Sequence, residues 1–360
     1  MIIILGAGGH GWKSLEKFVE NTDFLVKIYY IPADWGGFTG LFGKVLEFEN
    51  NNLILHGKVL PILSFGDTNK LVDYFLVKKW GISLNTRFNF ADSIENIIPK
   101  LEQLCDLADL ESQEFVDYFA KLYAQIQNYL KLFSTEYQMG CIGNFWHQFL
   151  FYKFGSIELI SAFYVSKEIF PSNLQICFSH LKRPILYAKD TQGNFLEGED
   201  LVDIHNFSLI PSFVKTTQKV NPKLIQDLKL AKAIILPHGS ICNWLPLVNY
   251  RQIATILSKK RVFALMNLFY LPNEFEYFEY MKYLFDLKIS PIVIGPKIKH
   301  LVFDQKILAN YKKQQKRLNV IQNLSHNIYF GALDIITQGK TEGIKHCPNS
   351  VNTALKMFIN

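Results

Sequence analysis

The sequence predicts an α/β fold: a mainly parallel sheet with helices on both faces and a helical insertion. Three observations predict it. The chain opens on a short apolar run, residues 1–5, followed by the turn Gly6-Ala7-Gly8-Gly9-His10-Gly11 and by apolar residues at helical spacing over 12–19. Apolar runs of strand length then alternate with helical periodicities, the pattern of parallel strands joined by crossover helices in a Rossmann-like sheet. Finally, 49% of the 360 residues are hydrophobic, with 30 Phe and 17 Tyr, enough for a substantial core without disulfides or a structural metal.

The opening run suits a buried parallel strand, and the glycines sit where it turns into a helix. In that context G-x-G-x-x-G lets the backbone approach a phosphate, while free N–H groups and the positive end of the helix dipole favour an anion. The motif alone leaves the identity of the anion open. Residues 24–31 form the next strand, ending at Pro32-Ala33-Asp34. In a dinucleotide-binding fold an acidic residue about 20 positions beyond the glycines holds a ribose hydroxyl, and Asp34 is near that place. A second glycine loop, Asp34-Trp35-Gly36-Gly37-Phe38-Thr39-Gly40, comes directly after this strand, and an ordinary dehydrogenase has no need of it. It can bring backbone amides and a carboxylate to one ligand.

Further along, Gly66-Asp67-Thr68-Asn69 precedes a helix over 71–79, with Asp67 at the N-cap position. Residues 92–133 are helical, since Phe115, Phe119, Leu122, Ile126, Tyr129 and Phe133 recur at steps of three and four. This stretch reads as an insertion or lid. Gly140-Cys141-Ile142-Gly143-Asn144 introduces an apolar helix beginning near Phe145, and its glycines mark a tight approach. Residues 183–188 and 194–197 are the arms of a hairpin. Asn221-Pro222 opens a helix over 223–230 that feeds a strand at 233–236 and the loop Pro237-His238-Gly239-Ser240. Residues 261–266 and 291–294 are further strands. Ligands of open sheets gather at the carboxyl ends of strands, so the loops after Leu5, Ile31, Leu236 and Met266 are expected to converge. The expected organisation is a core of residues 1–91 and 137–300, an insertion at 92–136, and a mainly helical extension at 301–360.

Several classes are disfavoured. Five cysteines lie far apart with no C-x-x-C, which argues against a disulfide framework or a zinc cluster and fits a reducing cytoplasm. Neither a basic leader nor an apolar run of about 18 residues occurs, so secretion and membrane spanning are not expected. The net charge is +6, yet only residues 311–317 form a dense basic cluster, read as a solvated helix face. No nucleic-acid-binding signature accompanies it. A Gly-x-Ser-x-Gly elbow is absent, and nucleophilic catalysis is not expected.

Taken in order, Gly8-Gly9-His10-Gly11, the loop from Asp34 to Gly40, Gly66-Asp67 with Asn69, Gly143-Asn144, Gly198-Glu199, Asn221-Pro222 and Gly239-Ser240 resemble the motifs of the CofD-like family. The resemblance covers roughly residues 1–300. That family includes the 2-phospho-L-lactate transferases of deazaflavin cofactor synthesis and the YvcK-type nucleotide-sugar-binding proteins. The resemblance implies a nucleoside-diphosphate-linked donor on Gly8, Gly9, His10, Gly11, Gly239 and Ser240. It further implies Mg²⁺ on Asp34 with Asp67 assisting, and an acceptor near Gly36, Gly37, Gly40, Asn69 and Asn144. A homo-oligomer is compatible with it.

The chain departs from the family at His10, where Thr is usual, at Trp35, where a second Asp is usual, and at Phe38 and Thr39, where serines are. No arginine stands between Asp67 and Asn69, and Pro237-His238 replaces Gly-Pro; the missing arginine is a planar cation suited to phosphate. Structural roles stand beside the functional ones: a loop cap for Asp34, a helix cap for Asp67, turn-filling for His10 and His238, and a solvated carboxylate for Glu199. Three functions therefore remain open: phospho-group transfer, nucleotide-sugar sensing without chemistry, and nicotinamide-dependent oxidoreduction.

Overall fold

The computed structural model describes residues 1–7, 9–32, 52–55, 58–61, 66–91, 94–132, 139–182, 184–189, 194–197, 215–216, 218–239, 241–265, 277–295, 328–330, 335–337 and 344–359. The chain runs through β1 (Ile2–Leu5), α1 (Gly9–Glu20), β2 (Val26–Tyr30), β3 (Asn52–Leu55), β4 (Lys58–Pro61), α2 (Gly66–Trp80), β5 (Arg87–Asn89), α3 (Ile98–Ala108), α4 (Ser112–Leu132), β6 (Met139–Cys141), α5 (Ile142–Phe154) and α6 (Ile157–Ser166). It continues with β7 (Leu174–Phe178), β8 (Leu186–Lys189), β9 (Phe195–Glu197), β10 (Lys215–Thr216), α7 (Pro222–Leu230), β11 (Ala233–Leu236), α8 (Leu245–Val248), α9 (Arg251–Leu257), β12 (Val262–Leu265), α10 (Tyr277–Asp286), β13 (Ile292–Gly295), β14 (Ile328–Phe330), β15 (Ile335–Thr337), β16 (Ile344–His346) and α11 (Pro348–Ile359). These fall into two compact units. One holds residues 1–31, 173–181 and 185–360, the other residues 32–172 and 182–184.

The first unit is built on a seven-stranded sheet in the order β14-β13-β12-β11-β1-β2-β7, every neighbouring pair parallel. This is the expected α/β class, a Rossmann-like sheet flanked by helices. Its central strands are apolar runs with every residue buried, as strands covered on both faces must be. In α1, Trp12, Leu15, Phe18 and Val19 are buried at helical spacing, so one face of the helix is core. Helix α7 starts on a built cap: the Asn221 side chain accepts from Lys223 N at 3.0 Å, with Pro222 in the first turn where its missing N–H costs nothing. Midway along α7, Asp227 Oδ2 accepts from Lys27 Nζ at 2.7 Å and from Tyr29 Oη at 2.6 Å. Lys27 and Tyr29 are two apart on β2, so they share a face, and a buried carboxylate pins α7 onto that strand.

The second unit is mainly helical among its described residues, with the hairpin β3-β4 and the pair β5-β6. The aromatic periodicity of the sequence is its core: Phe115, Phe119, Leu122 and Ile126 of α4 are fully buried. Phe115 stacks on Phe149 at 4.6 Å between ring centres, and Phe119 meets Phe145 at the same separation. Residues 142–151 of α5 are all buried. Where β5 passes β6, a Cβ at Gly140 would run into the Phe88 ring, so the glycine is required by a close approach.

Some features depart from the sequence expectations. The helical stretch at 92–136 divides into a short 3-10 turn, α3 and α4, and belongs to the larger unit 32–172. The segment 301–360 supplies three strands as well as α11, and one of them, β14, extends the main sheet. Helix α2 starts at Gly66, so Asp67 lies inside its first turn. Strand β7 had no expectation attached to it.

Candidate functional site

The sheet order carries the site. From β1 the chain moves to β2 and then β7 on one side; it returns to β11 on the other side of β1 and continues outward through β12, β13 and β14. The direction of winding therefore reverses between β1 and β11. A crevice outside the carboxyl ends of the two strands at such a reversal is where open α/β sheets take ligands. Strand β1 ends at Leu5 and leads into the first glycine turn; β11 ends at Leu236 and leads into Pro237-His238-Gly239. Register pairs Ile3 with Ile234, so the two turns leave adjacent strands side by side.

Backbone packing explains the glycines. Gly6 has φ of +70°, donates its N–H to Tyr29 O at 2.8 Å, and sits so close to the Asn243 carbonyl that a Cβ would collide with it. Gly11 lies in the first turn of α1, where a Cβ would stand 2.6 Å from the His238 carbonyl oxygen. Gly239 has φ of +118°, and a Cβ on it would lie 3.9 Å from Gly11 N. Together Gly11 and Gly239 bring the first turn of α1 against the loop after β11. At Gly11 only a residue without a side chain allows that approach, and at Gly239 the positive φ favours glycine.

A buried polar contact fixes the same corner. Ser14, three residues beyond Gly11, shares a hydrogen bond between its hydroxyl and His238 Nε2. Ser14 is fully buried and His238 is 8% exposed. The His346 ring, also buried, meets the His238 ring edge to face at 5.1 Å between centres. His346 ends β16, and α11 behind it packs along α1. Sequence reasoning named His238 and left out Ser14 and His346. The Gly11–Ser14 spacing places both on one helix face, a signal that was legible; nothing local in the sequence joins residue 346 to this corner.

In the second unit the structure brings Asn69 and Asn144 together, with Asn69 Nδ2 donating to Asn144 Oδ1. Gly143 admits the contact, because a Cβ there would lie 3.0 Å from Asn69 Cγ. Both amides are 4% exposed, and Asn69 Oδ1 has no hydrogen-bond partner among the described residues. Gln148, one helical turn after Asn144 and fully buried, likewise leaves both amide atoms unmet among the described residues. The neighbouring His147 is satisfied: Trp146 Nε1 donates to Tyr164 Oη at 3.1 Å, and the other ring contacts are Tyr164 Oη to His147 Nε2 at 3.0 Å and His147 Nδ1 to Gly143 O at 2.9 Å. A proton on Nδ1 completes that chain, leaving Nε2 as acceptor. Burial pushes the His147 pKa down to about 4, so the ring is neutral, and burial raises the Tyr164 phenol well above its usual range.

Gly9 and His10 occupy the first turn of α1, and Asp67 the first turn of α2. Gly8, Asp34, Gly36, Gly37, Gly40 and Ser240 lie outside the described residues, as does Glu199. Among the described residues no group of three or more His, Cys, Asp or Glu gathers to hold a metal ion. Mg²⁺ bound through phosphates needs only one or two carboxylates from protein, so the expectation for Asp34 is compatible with the donor chemistry. None of the five cysteines is in a disulfide, and no described helix is long and apolar enough to cross a membrane.

No family model matches the chain, and no curated protein matches it. Two crystal structures of protein BH3568 from Bacillus halodurans are similar to it over nearly its whole length. One superposes with a TM-score of 0.61 at 14% identity, covering 99% of this chain and 98% of the other. The second, at 2.60 Å resolution and described as a member of the UPF0052 family, gives 0.56 at 12% identity and covers 99% of each. UPF0052 is the CofD/YvcK family. At these identities the likeness is one of fold.

Proposed function

We propose that this chain binds a nucleoside-diphosphate-linked molecule in the crevice between β1 and β11, and transfers its phospho-linked group to an acceptor hydroxyl as CofD-like transferases do. One observation carries the reading: two glycine turns leave adjacent parallel strands at the point where the sheet reverses its winding, and they meet backbone to backbone at Gly11 and Gly239. A polyphosphate suits such a corner, since main-chain N–H groups and the N-terminal end of α1 supply positive potential that bulky side chains cannot shield. The family of the similar fold and the order of the sequence motifs support the same reading.

The mechanism asks little covalent chemistry of the protein. The acceptor oxygen bonds to phosphorus as the bond from that phosphorus to the bridging oxygen breaks, the nucleoside monophosphate leaves with that oxygen and the hydroxyl proton passes to solvent, a transfer governed by alignment of the acceptor and neutralisation of oxygen charge. Gly8, Gly9, His10, Gly11, Gly239 and Ser240 bind the diphosphate. Gly36, Gly37 and Gly40 shape the acceptor side, and Asn69 and Asn144 orient the acceptor; the unmet Oδ1 of Asn69 is a ready acceptor for a ligand donor. Asp34 would hold Mg²⁺, which would supply positive charge to the phosphate oxygens, and Asp67 would orient the attacking hydroxyl.

A second reading, a sensor that binds a nucleotide sugar and does no chemistry, is favoured by one specific observation. The residue before Asn69 is Thr68, 1% exposed, and not the arginine that would face a phosphate. Mass spectrometry of small molecules retained by the purified protein, followed by a product assay with Mg²⁺ on any binder, separates the two. Transfer requires turnover that Asp34→Asn abolishes; saturable binding without product is the sensor's result. Lack of binding to any nucleotide-linked compound, or unchanged binding in Gly239→Val, overturns both.

A further inference from the structure

We infer that the first unit carries a second anion site, a cleft between α7 and α9 that takes a small phosphorylated ligand. The cleft has a volume of about 660 Å³ and is lined by Lys229, Arg251, Gln252, Thr255, Ile256, Lys259 and Lys260. Four of these seven residues are cationic and none is acidic. They come from separate stretches of chain that the fold brings together. Lys229 closes the last turn of α7; Arg251 opens α9, and Lys259 and Lys260 follow its end.

The arrangement is that of a binding surface. On α9, Gln252, Thr255 and Ile256 fall at i, i+3 and i+4 and line the cleft, and Lys259 joins them from the turn that follows the helix. Ile253, Ala254 and Leu257, on the other side of the helix, are buried in the core. Lys260 is anchored: its ammonium donates to the Lys229 and Ala231 carbonyls, meeting acceptors left over where α7 ends. Lys229, Arg251 and Lys259 make no salt bridge with a carboxylate among the described residues. These three residues line one concavity with no counter-charge among the described residues, which raises local anion concentration. Arginine adds a planar fork suited to phosphate oxygens, while Gln252 and Thr255 supply neutral hydrogen-bonding groups and Ile256 an apolar floor. The volume is in the range of small-molecule sites, large enough for a mononucleotide or sugar phosphate.

This cleft is separate from the crevice at β1 and β11. Helix α7 ends at Leu230 just before β11 begins at Ala233, and Lys259-Lys260 stand just before β12 at Val262. That places these cations at the amino ends of the strands, whereas the glycine turns follow the carboxyl ends. The inference does not depend on the transfer reaction proposed above.

Titration calorimetry of the full chain with inorganic pyrophosphate at about 0.15 M salt, where charges beyond about 8 Å are screened, tests it. Saturable binding is expected in the wild type and in Gly239→Val, which disables the glycine-turn site, with at least a ten-fold loss of affinity when Arg251→Glu/Lys259→Glu is added to Gly239→Val. Circular dichroism checks that the combined variant is folded; should it fail to fold, Gln252→Glu, an exposed change in the same cleft, gives the comparison with a loss in the same direction. The inference is overturned if the wild type shows no saturable uptake, if adding the charge changes leaves the affinity of Gly239→Val unaltered, or if Gly239→Val removes all binding. The last result would assign the anion to the glycine turns alone.

Discussion

At the scale of single residues, the corner at Ser14 and His238 gives the sharpest consequence. Replacing Ser14 by Ala leaves a buried imidazole nitrogen without its hydroxyl, which costs about 1–3 kcal/mol. Denaturant unfolding of Ser14→Ala should show that loss. The same variant should bind the nucleotide-linked ligand more weakly, because the residue whose backbone carbonyl packs on Gly11 is no longer held. An opposite sign is expected at Gln148. Both of its amide atoms are buried without partners among the described residues, so Gln148→Leu, close in volume and apolar, should unfold at equal or higher denaturant concentration. A clear loss of stability in that variant would show that the amide is satisfied in solution. The glycines were legible because their spacing reports a backbone requirement directly. Gln148 was not, since an amide in an apolar helix looks the same in sequence whether or not it finds a partner.

Between elements, the carboxylate of Asp227 is the joint of α7 with the sheet. Asp227→Ala strands the Lys27 ammonium and the Tyr29 hydroxyl in the interior, and breaking a buried pair on one side typically costs about 3–5 kcal/mol. Chemical denaturation of that variant measures the cost; a change under about 1 kcal/mol would mean that water reaches the pair. Strands β1, β11, β12 and β13 were readable as apolar runs because both faces are covered. Strand β7 escaped notice, with Gln175 interrupting a short run beside polar turns. Helix α4 was legible from its aromatic period. The cationic cleft was not, since Lys229, Arg251, Lys259 and Lys260 are scattered in sequence and only the packing of α7 on α9 collects them.

For the whole molecule, acid sensitivity follows from two histidines, one in each unit. Burial lowers both His147 and His180 to about 4. An unfolded chain takes up those protons near 6.5, its ordinary value, while the folded chain waits until about 4, so the unfolded state binds more protons in between. Stability is therefore full above about pH 7 and falls as pH drops through that window, by about 3 kcal/mol for each ring at pH 4. Thermal melts from pH 7.5 to 4 should show the decline, and His147→Phe should flatten it. A melt independent of pH over that range would contradict the burial of both rings. Sheet order was beyond reach of the sequence, since it depends on pairings between distant strands; the reversal between β1 and β11, on which the proposed function rests, came only with the structure.

Helix α1, near the start of the chain, is covered by α11 and touched at its glycine corner by the His238–His346 stack, residues that arrive after most of the chain has passed. During synthesis, β1 and α1 must therefore wait for residues 344–359 to leave the ribosome before their outer flank is shielded. A truncation inside 344–359 would give a product whose defect surfaces at α1, far earlier in the chain.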